Sequence, residues 1–168
     1  MSKLAYLSLG SNIGDREANL VSAITILQNY AEIENITSAS FYKTEPLYTT
    51  DQPAFLNTVI SLETSFTAFQ LLDVVHDTET LLGRTKDREK NAPRTIDIDI
   101  LCLNDVFIET EELTLPHPDL HNRRFVLIPF EELAPNFVIQ KLHMSVRDLL
   151  IICQDKSKVR KHKILSNA

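Results

Sequence analysis

The segment Pro93-Arg94-Thr95-Ile96-Asp97-Ile98-Asp99-Ile100-Leu101 sets the strictest limit on how this chain can fold. Isoleucine is β-branched and recurs at every second position, so the segment reads as a β-strand. On a strand, residues two apart point the same way. Asp97 and Asp99 therefore project together, while Ile96, Ile98 and Ile100 line the opposite face. Aspartate is a poor strand former, so a pair of them needs a reason. Two carboxylates about 7 Å apart along a strand repel each other and resist burial unless a cation sits between them. Carboxylate oxygens suit Mg²⁺, which is commonly held by one or two carboxylates plus substrate phosphates. Arg94 stands just before the pair and Arg84 lies upstream; guanidinium forks match phosphate oxygens. One reading is a nucleotide site. The other is a strand with one wet face on which the acids only solubilise. The acidic face is expected to continue into Leu101 and Leu103, running from wet to buried.

The 168 residues suffice for one domain with a proper core, and 43% hydrophobic with 24% charged residues is ordinary for a globular chain. The net charge of -6 argues against a nucleic-acid binder. No apolar run approaches the ~20 residues of a membrane span, and the N-terminus lacks signal-peptide anatomy. Cys102 and Cys153 sit in apolar segments and read as small core residues, which fits a reducing cytoplasm. Residues 156–168 are basic and expected to fray.

Along the chain, residues 4–9 read as a first strand, Gly10 to Asp15 as a turn, and Asp15 to Tyr30 as a helix with Leu20, Ala23, Ile24, Leu27 and Ala31 on its core face. Residues 33–43 form a second strand and 55–63 a third. A second helix opens on the capping box Thr67-x-x-Gln70 and ends at Gly83. Its core face is Ala68, Leu71, Leu72, Val75 and Leu82. Residues 84–92 form a charged loop before the acidic strand. A hairpin follows over 106–115, a helix over 119–133 despite Pro129, and a last helix over 145–153. The order β-α-β-β-α-β predicts an α+β, ferredoxin-like core, an antiparallel sheet flanked by helices with C-terminal additions, in a single domain over 1–168.

Other clusters allow two readings each. The Gly10/Gly14 turn fits neither a P-loop nor a dinucleotide fingerprint, so phosphate binding must come from side chains. Phe55 and Asn57 share a strand face; they can stack on and hydrogen-bond a flat heterocycle, or be core and backbone partner. His76 and Glu79 lie a turn apart on what reads as the polar face of the second helix. His117, between Pro116 and Pro118 and followed by Arg123 and Arg124, suits phosphate binding or proton donation, or is only a turn before a helix.

Taken in order, Gly10-Ser11-Asn12, Thr44-Glu45-Pro46-Leu47, Asp51-Gln52-Pro53-x-Phe55-x-Asn57, Gly83-Arg84, Pro93-Arg94-Thr95-x-Asp97-x-Asp99 and Pro116-His117-x5-Arg123-x-Phe125 resemble the 6-hydroxymethyl-7,8-dihydropterin pyrophosphokinases of folate biosynthesis. The resemblance implies transfer of pyrophosphate from ATP to the pterin, leaving AMP. It implies catalytic roles for Arg84, Arg94, Asp97 and Asp99, with Asp97 and Asp99 holding two Mg²⁺ ions. By the same carry-over ATP meets His76, Glu79, Arg84, Lys86, Arg94, Ile100, Thr114, His117 and Arg123. The pterin meets Thr44, Glu45, Pro46, Leu47, Phe55, Asn57, Asp97 and Phe125. The chain departs from the family where Lys90-Asn91-Ala92 stand in place of a tryptophan, Pro118 in place of a tyrosine, and His76 in place of a glutamine. The expected partners are small-molecule substrates, with neither nucleic acid nor membrane, for a cytoplasmic monomer. A non-catalytic pterin or nucleotide binder of the same fold is the alternative.

Overall fold

The computed structural model describes residues 1–44, 53–83 and 95–163. In chain order the elements are β1 (Lys3–Ser11), α1 (Arg16–Gln28), β2 (Ile33–Ser38), β3 (Tyr42–Thr44), β4 (Phe55–Thr64), α2 (Ala68–Leu81), β5 (Asp97–Leu103), β6 (Ile108–Glu109), β7 (Thr114–Leu115), α3 (Arg124–Leu133), β8 (Val138–Ile139), β9 (Met144–Ser145), α4 (Val146–Ile152) and β10 (Val159–Lys161).

β1 alternates Ala5, Leu7 and Leu9 with Tyr6, Ser8 and Gly10, and both sets are buried. A strand covered on both faces belongs in the middle of a sheet. β4 and β5 flank it, both antiparallel, and the order runs β10-β3-β4-β1-β5 with β2 also on β4. This is the expected βαββαβ core with one strand added at its far edge. On one face α1 and α2 bury Leu20, Leu27, Leu71 and Val75 against Leu7, Ile60 and Ile98. On the other, α3 and α4 bury Val126, Phe130, Val146 and Leu149 against Tyr6, Val59 and Leu101. There the Tyr6 ring stands 4.7 Å from Phe130 and 4.9 Å from Phe137. Cys102 and Cys153 are unpaired thiols in that second core, and burial pushes Cys102 up to about 12, so it stays protonated.

Local signals explain the helix ends. Asp15 accepts from the Ala18 N–H to start α1. Thr67 and Gln70 make the expected reciprocal cap of α2, and Gly83 takes φ +94 after it, a backbone that glycine adopts without strain.

Six expectations need correction. Residues 156–163 do not fray, because Val159–Lys161 form β10 and pair with β3. β1 runs through Gly10 and Ser11, so the turn begins only at Asn12 and closes at Gly14, with φ +67. The single strand over 33–43 is two pieces, because Ala39–Phe41 leave the ladder; the Thr58 hydroxyl lies 3.1 and 3.0 Å from the Ala39 and Ser40 carbonyls and covers the break. α1 stops at Gln28, which leaves Ala31 exposed. The 119–133 helix is a 3-10 turn (Leu120–Asn122) and α3, parted by the extended Arg123. Pro129 stays within α3, whose Val126, Leu127 and Phe130 stripe is buried. Finally, Leu7 pairs Ile100 while Tyr6 pairs Cys102, so Leu101 is an extra residue in a β-bulge. The bulge returns Leu103 to the α1/α2 core, opposite the face expected for it.

Candidate active site

The layer of α3 and α4 covers only part of its sheet face. Beneath it the outward residues are Tyr6, Val59 and Leu101. Farther along the same strands the same alternation brings Ser8, Gly10, Asn57, Asp99 and Asp97. Apolar residues lie where helices cover the sheet and polar ones where they do not. That is how a strand face becomes a site and not core.

Register arranges the polar end. Tyr42 pairs Asn57, Asn57 pairs Gly10, and Gly10 pairs Asp97, so one row crosses four strands. Asn57 and Asp97 are two strand spacings apart, about 10 Å. Between them Gly10 presents no side chain. A Cβ there would stand 2.6 Å from Asn57 Oδ1 and 3.6 Å from a Phe55 ring carbon. The glycine therefore supplies the space in which the Asn57 carboxamide rests. Asn57 Nδ2 donates to Thr44 Oγ1 at 2.7 Å, and both side chains are buried. Phe55 lies on the same face and is half-buried, not core.

Asp97 and Asp99 share the face as expected and are both half-exposed. The Arg123 guanidinium lies 3.9 Å from Asp99 and 3.5 Å from Asp119, and its carbon is 5.9 Å from the Phe125 ring centre. One arginine thus links the acidic pair to an aromatic ring. The His117 N–H donates to the bulged Leu101 carbonyl at 2.9 Å, which pins the histidine to the acidic strand. Its Nδ1 accepts from the Asp119 N–H at 3.1 Å. Burial, reinforced by Arg123, lowers its pKa to about 4 against the pull of Asp119 and Asp97. At neutral pH it is therefore an uncharged imidazole with its proton on Nε2.

Several candidates stand elsewhere. Glu79 is not on a solvated face: it is 5% exposed and accepts from the Ile98 N–H at 3.0 Å. β5 is the last strand in the sheet order, so this carboxylate closes part of its outer edge. His76, on the same helix, is exposed. The Ile100 side chain is buried in the α1/α2 core, so only its backbone can meet a ligand. Thr114 is half-buried on β7. Glu45, Pro46, Leu47, Arg84, Lys86 and Arg94 lie outside the described residues.

Among the described residues no group of three or more metal-ligating side chains occurs. The acidic pair alone fits a hard cation that takes its remaining oxygens from phosphates and water, as Mg²⁺ does. Sequence reasoning missed Gly10 as the floor of the site and Ser8 as the register partner of Asp99. The available signal for both was that the Tyr6-Ser8-Gly10 alternation continues into the presumed turn.

The model of the 7,8-dihydro-6-hydroxymethylpterin-pyrophosphokinase (HPPK) family matches residues 6–135. The chain belongs to this family. It is 43% identical over 134 residues to 2-amino-4-hydroxy-6-hydroxymethyldihydropteridine pyrophosphokinase of Bacillus subtilis, covering 80% of each chain. With the Haemophilus influenzae protein of the same name the identity is 38% over 135 residues, 80% of this chain and 84% of that one. The Schizosaccharomyces pombe folic acid synthesis protein fol1 is 40% identical over 149 residues, 89% of this chain but only 20% of fol1. Among solved structures, Plasmodium falciparum HPPK-DHPS with pteroate superposes with a TM-score of 0.72 at 15% identity, over 90% of this chain and 44% of that chain. At that identity the likeness speaks for the fold. In this pyrophosphokinase of folate biosynthesis Asp97 and Asp99 share one face of β5, as the alternation predicts. No helix among the described residues is long and apolar enough to cross a membrane.

Proposed function

We propose that the chain transfers the β,γ-diphosphoryl group of ATP to the hydroxymethyl group of 6-hydroxymethyl-7,8-dihydropterin, releasing AMP. The observation that carries this reading is the Asn57–Gly10–Asp97 row, which joins a heterocycle-reading amide to a phosphate-end carboxylate at about two strand spacings. At one end, the Asn57 carboxamide, held by Thr44, hydrogen-bonds the pterin edge. Phe55 and Phe125 take the two faces of the ring. At the other end Asp97 and Asp99 would hold two Mg²⁺ ions. Those ions would neutralise the triphosphate and polarise the phosphorus under attack.

The acceptor hydroxyl forms a bond to the β-phosphorus while the bridge to the α-phosphate breaks. Such transfers need alignment and charge neutralisation more than covalent chemistry from the protein. Arg123, 3.9 Å from Asp99, contributes a guanidinium to the phosphates. His117 donates from Nε2 as a neutral group, adding a hydrogen bond and no charge. Arg84, Arg94 and Lys86 supply further cations. Asp97 takes the hydroxyl proton, a role second to its part as metal ligand. ATP meets the outer edge of β5 through the Ile100 backbone, with Thr114, Glu79 and His76 nearby. Glu45, Pro46 and Leu47 complete the pterin end. The chain works as a cytoplasmic monomer.

The test mixes the chain with Mg·ATP and the pterin and identifies the nucleotide product. AMP formed in step with pterin diphosphate supports the reading. ADP would make the chain an ordinary kinase, and binding of the pterin without turnover would make it a binding protein.

A further inference from the structure

The family match ends at residue 135, yet the sheet gains a strand beyond that point. β10 pairs antiparallel with β3: Val159 faces Thr44, Arg160 faces Lys43, and Lys161 faces Tyr42. The ladder continues with the His162 N–H donating to the Phe41 carbonyl at 2.8 Å. Hydrogen-bonded and non-hydrogen-bonded pairs alternate in such a ladder. Arg160 with Lys43 is thus the next hydrogen-bonded pair, and Val159 with Thr44 is a closer, non-hydrogen-bonded one.

β3 spans only Tyr42–Thr44, yet it carries the hydroxyl that orients the Asn57 carboxamide at 2.7 Å. A strand that short, paired on one side only, belongs to the least stable part of a sheet. Pairing on its second side changes that. β10 and the residues on either side of it are in turn tied to other elements. The Asp155 carboxylate accepts from the Arg124 N–H at 3.0 Å at the start of α3. Lys161 lies 3.9 Å from Glu132 near the end of α3, the same carboxylate that accepts from the Tyr42 hydroxyl at 2.6 Å. His162 lies 3.3 Å from Glu17 on α1.

We infer that β10 is a positioning element for the pterin end of the site. By clamping β3 between itself and β4, it holds Thr44 where it can orient Asn57. The inference rests on the pterin reading of Asn57 given above. It places a determinant of pterin affinity on the side of the sheet remote from the acidic strand, in backbone pairing that no motif encodes.

The test uses Arg160→Pro in the full chain, which removes one N–H from the ladder, and Arg160→Ala, which changes only an exposed side chain. Arg160→Pro is expected to raise KM for the pterin about fivefold or more, with KM for ATP and kcat within twofold of the parent. Arg160→Ala is expected to leave all three within twofold. A folded Arg160→Pro protein with unchanged pterin KM would overturn the inference, as would an equal rise in both KM values. Amide hydrogen exchange in the unmodified chain gives a second measurement, one that needs no variant to fold. Pterin binding should slow exchange at residues 159–162 together with 42–44. Unchanged exchange at 159–162 would overturn the inference too. If the unmodified chain neither binds nor turns over the pterin, it is the functional reading that fails.

Discussion

Asp97, Gly10 and His117 show how single residues divide the work. Asp97 is half-exposed and contributes little to the core, so Asp97→Ala should leave the melting temperature within a degree or two. Turnover should fall by about a hundredfold or more, the scale of losing one preorganised charged group at a transition state. Steady-state kinetics beside a melting curve checks both halves. Gly10→Ala acts differently. The new methyl, 2.6 Å from Asn57 Oδ1, must push the carboxamide off Thr44. Pterin KM should rise about tenfold with ATP KM nearly constant, and an unchanged pterin KM would refute the floor role. His117 gives a pH prediction. Its folded pKa is about 4 against an ordinary 6.5, so the unfolded chain binds the extra proton first. Its contribution to stability is full above about pH 6.5 and is lost as pH falls from there toward 4. Proton NMR of the His117 ring should titrate near 4; a midpoint near 6.5 would show that the ring is not held as described.

The elements with a strong local code were legible in the sequence. The Ile-Asp alternation of β5, the Thr67/Gln70 cap of α2 and the Ser145 start of α4 are all present. What was not legible depends on neighbours distant in sequence. The Leu101 bulge follows from how β5 registers against β1, and nothing in the period of the segment announces it. Gly10 looked like a turn because glycine usually marks one, whereas here close approach of Asn57 across the sheet requires it. Glu79 fell on a polar helix face by composition, but α2 packs beside the outer edge of β5 and buries it on the Ile98 N–H. That contact makes its own prediction. Glu79→Ala leaves a buried backbone donor without its carboxylate and should cost about 1–3 kcal/mol in a urea titration. Glu79→Gln keeps an acceptor and should cost less; equal losses would separate Glu79 from β5.

At the scale of the whole molecule, the sheet divides its two faces between different tasks. The α1/α2 face is mostly apolar and buries the larger core. The opposite face is apolar only under α3 and α4, and its uncovered end carries the amide, the glycine gap and the acidic pair in register. The additions after the βαββαβ core supply the cover and, through β10, the far support of β3. The proposed reaction requires Asp97 and Asp99 to gather divalent cations around a triphosphate. Counting bound Mn²⁺ by electron paramagnetic resonance, with a non-hydrolysable ATP analogue and the pterin present, addresses it directly. Two ions per chain are expected, and the Asp97→Asn/Asp99→Asn double variant should lose both once the analogue's own solution affinity for Mn²⁺ is subtracted. The same count in parent and double variant would contradict it.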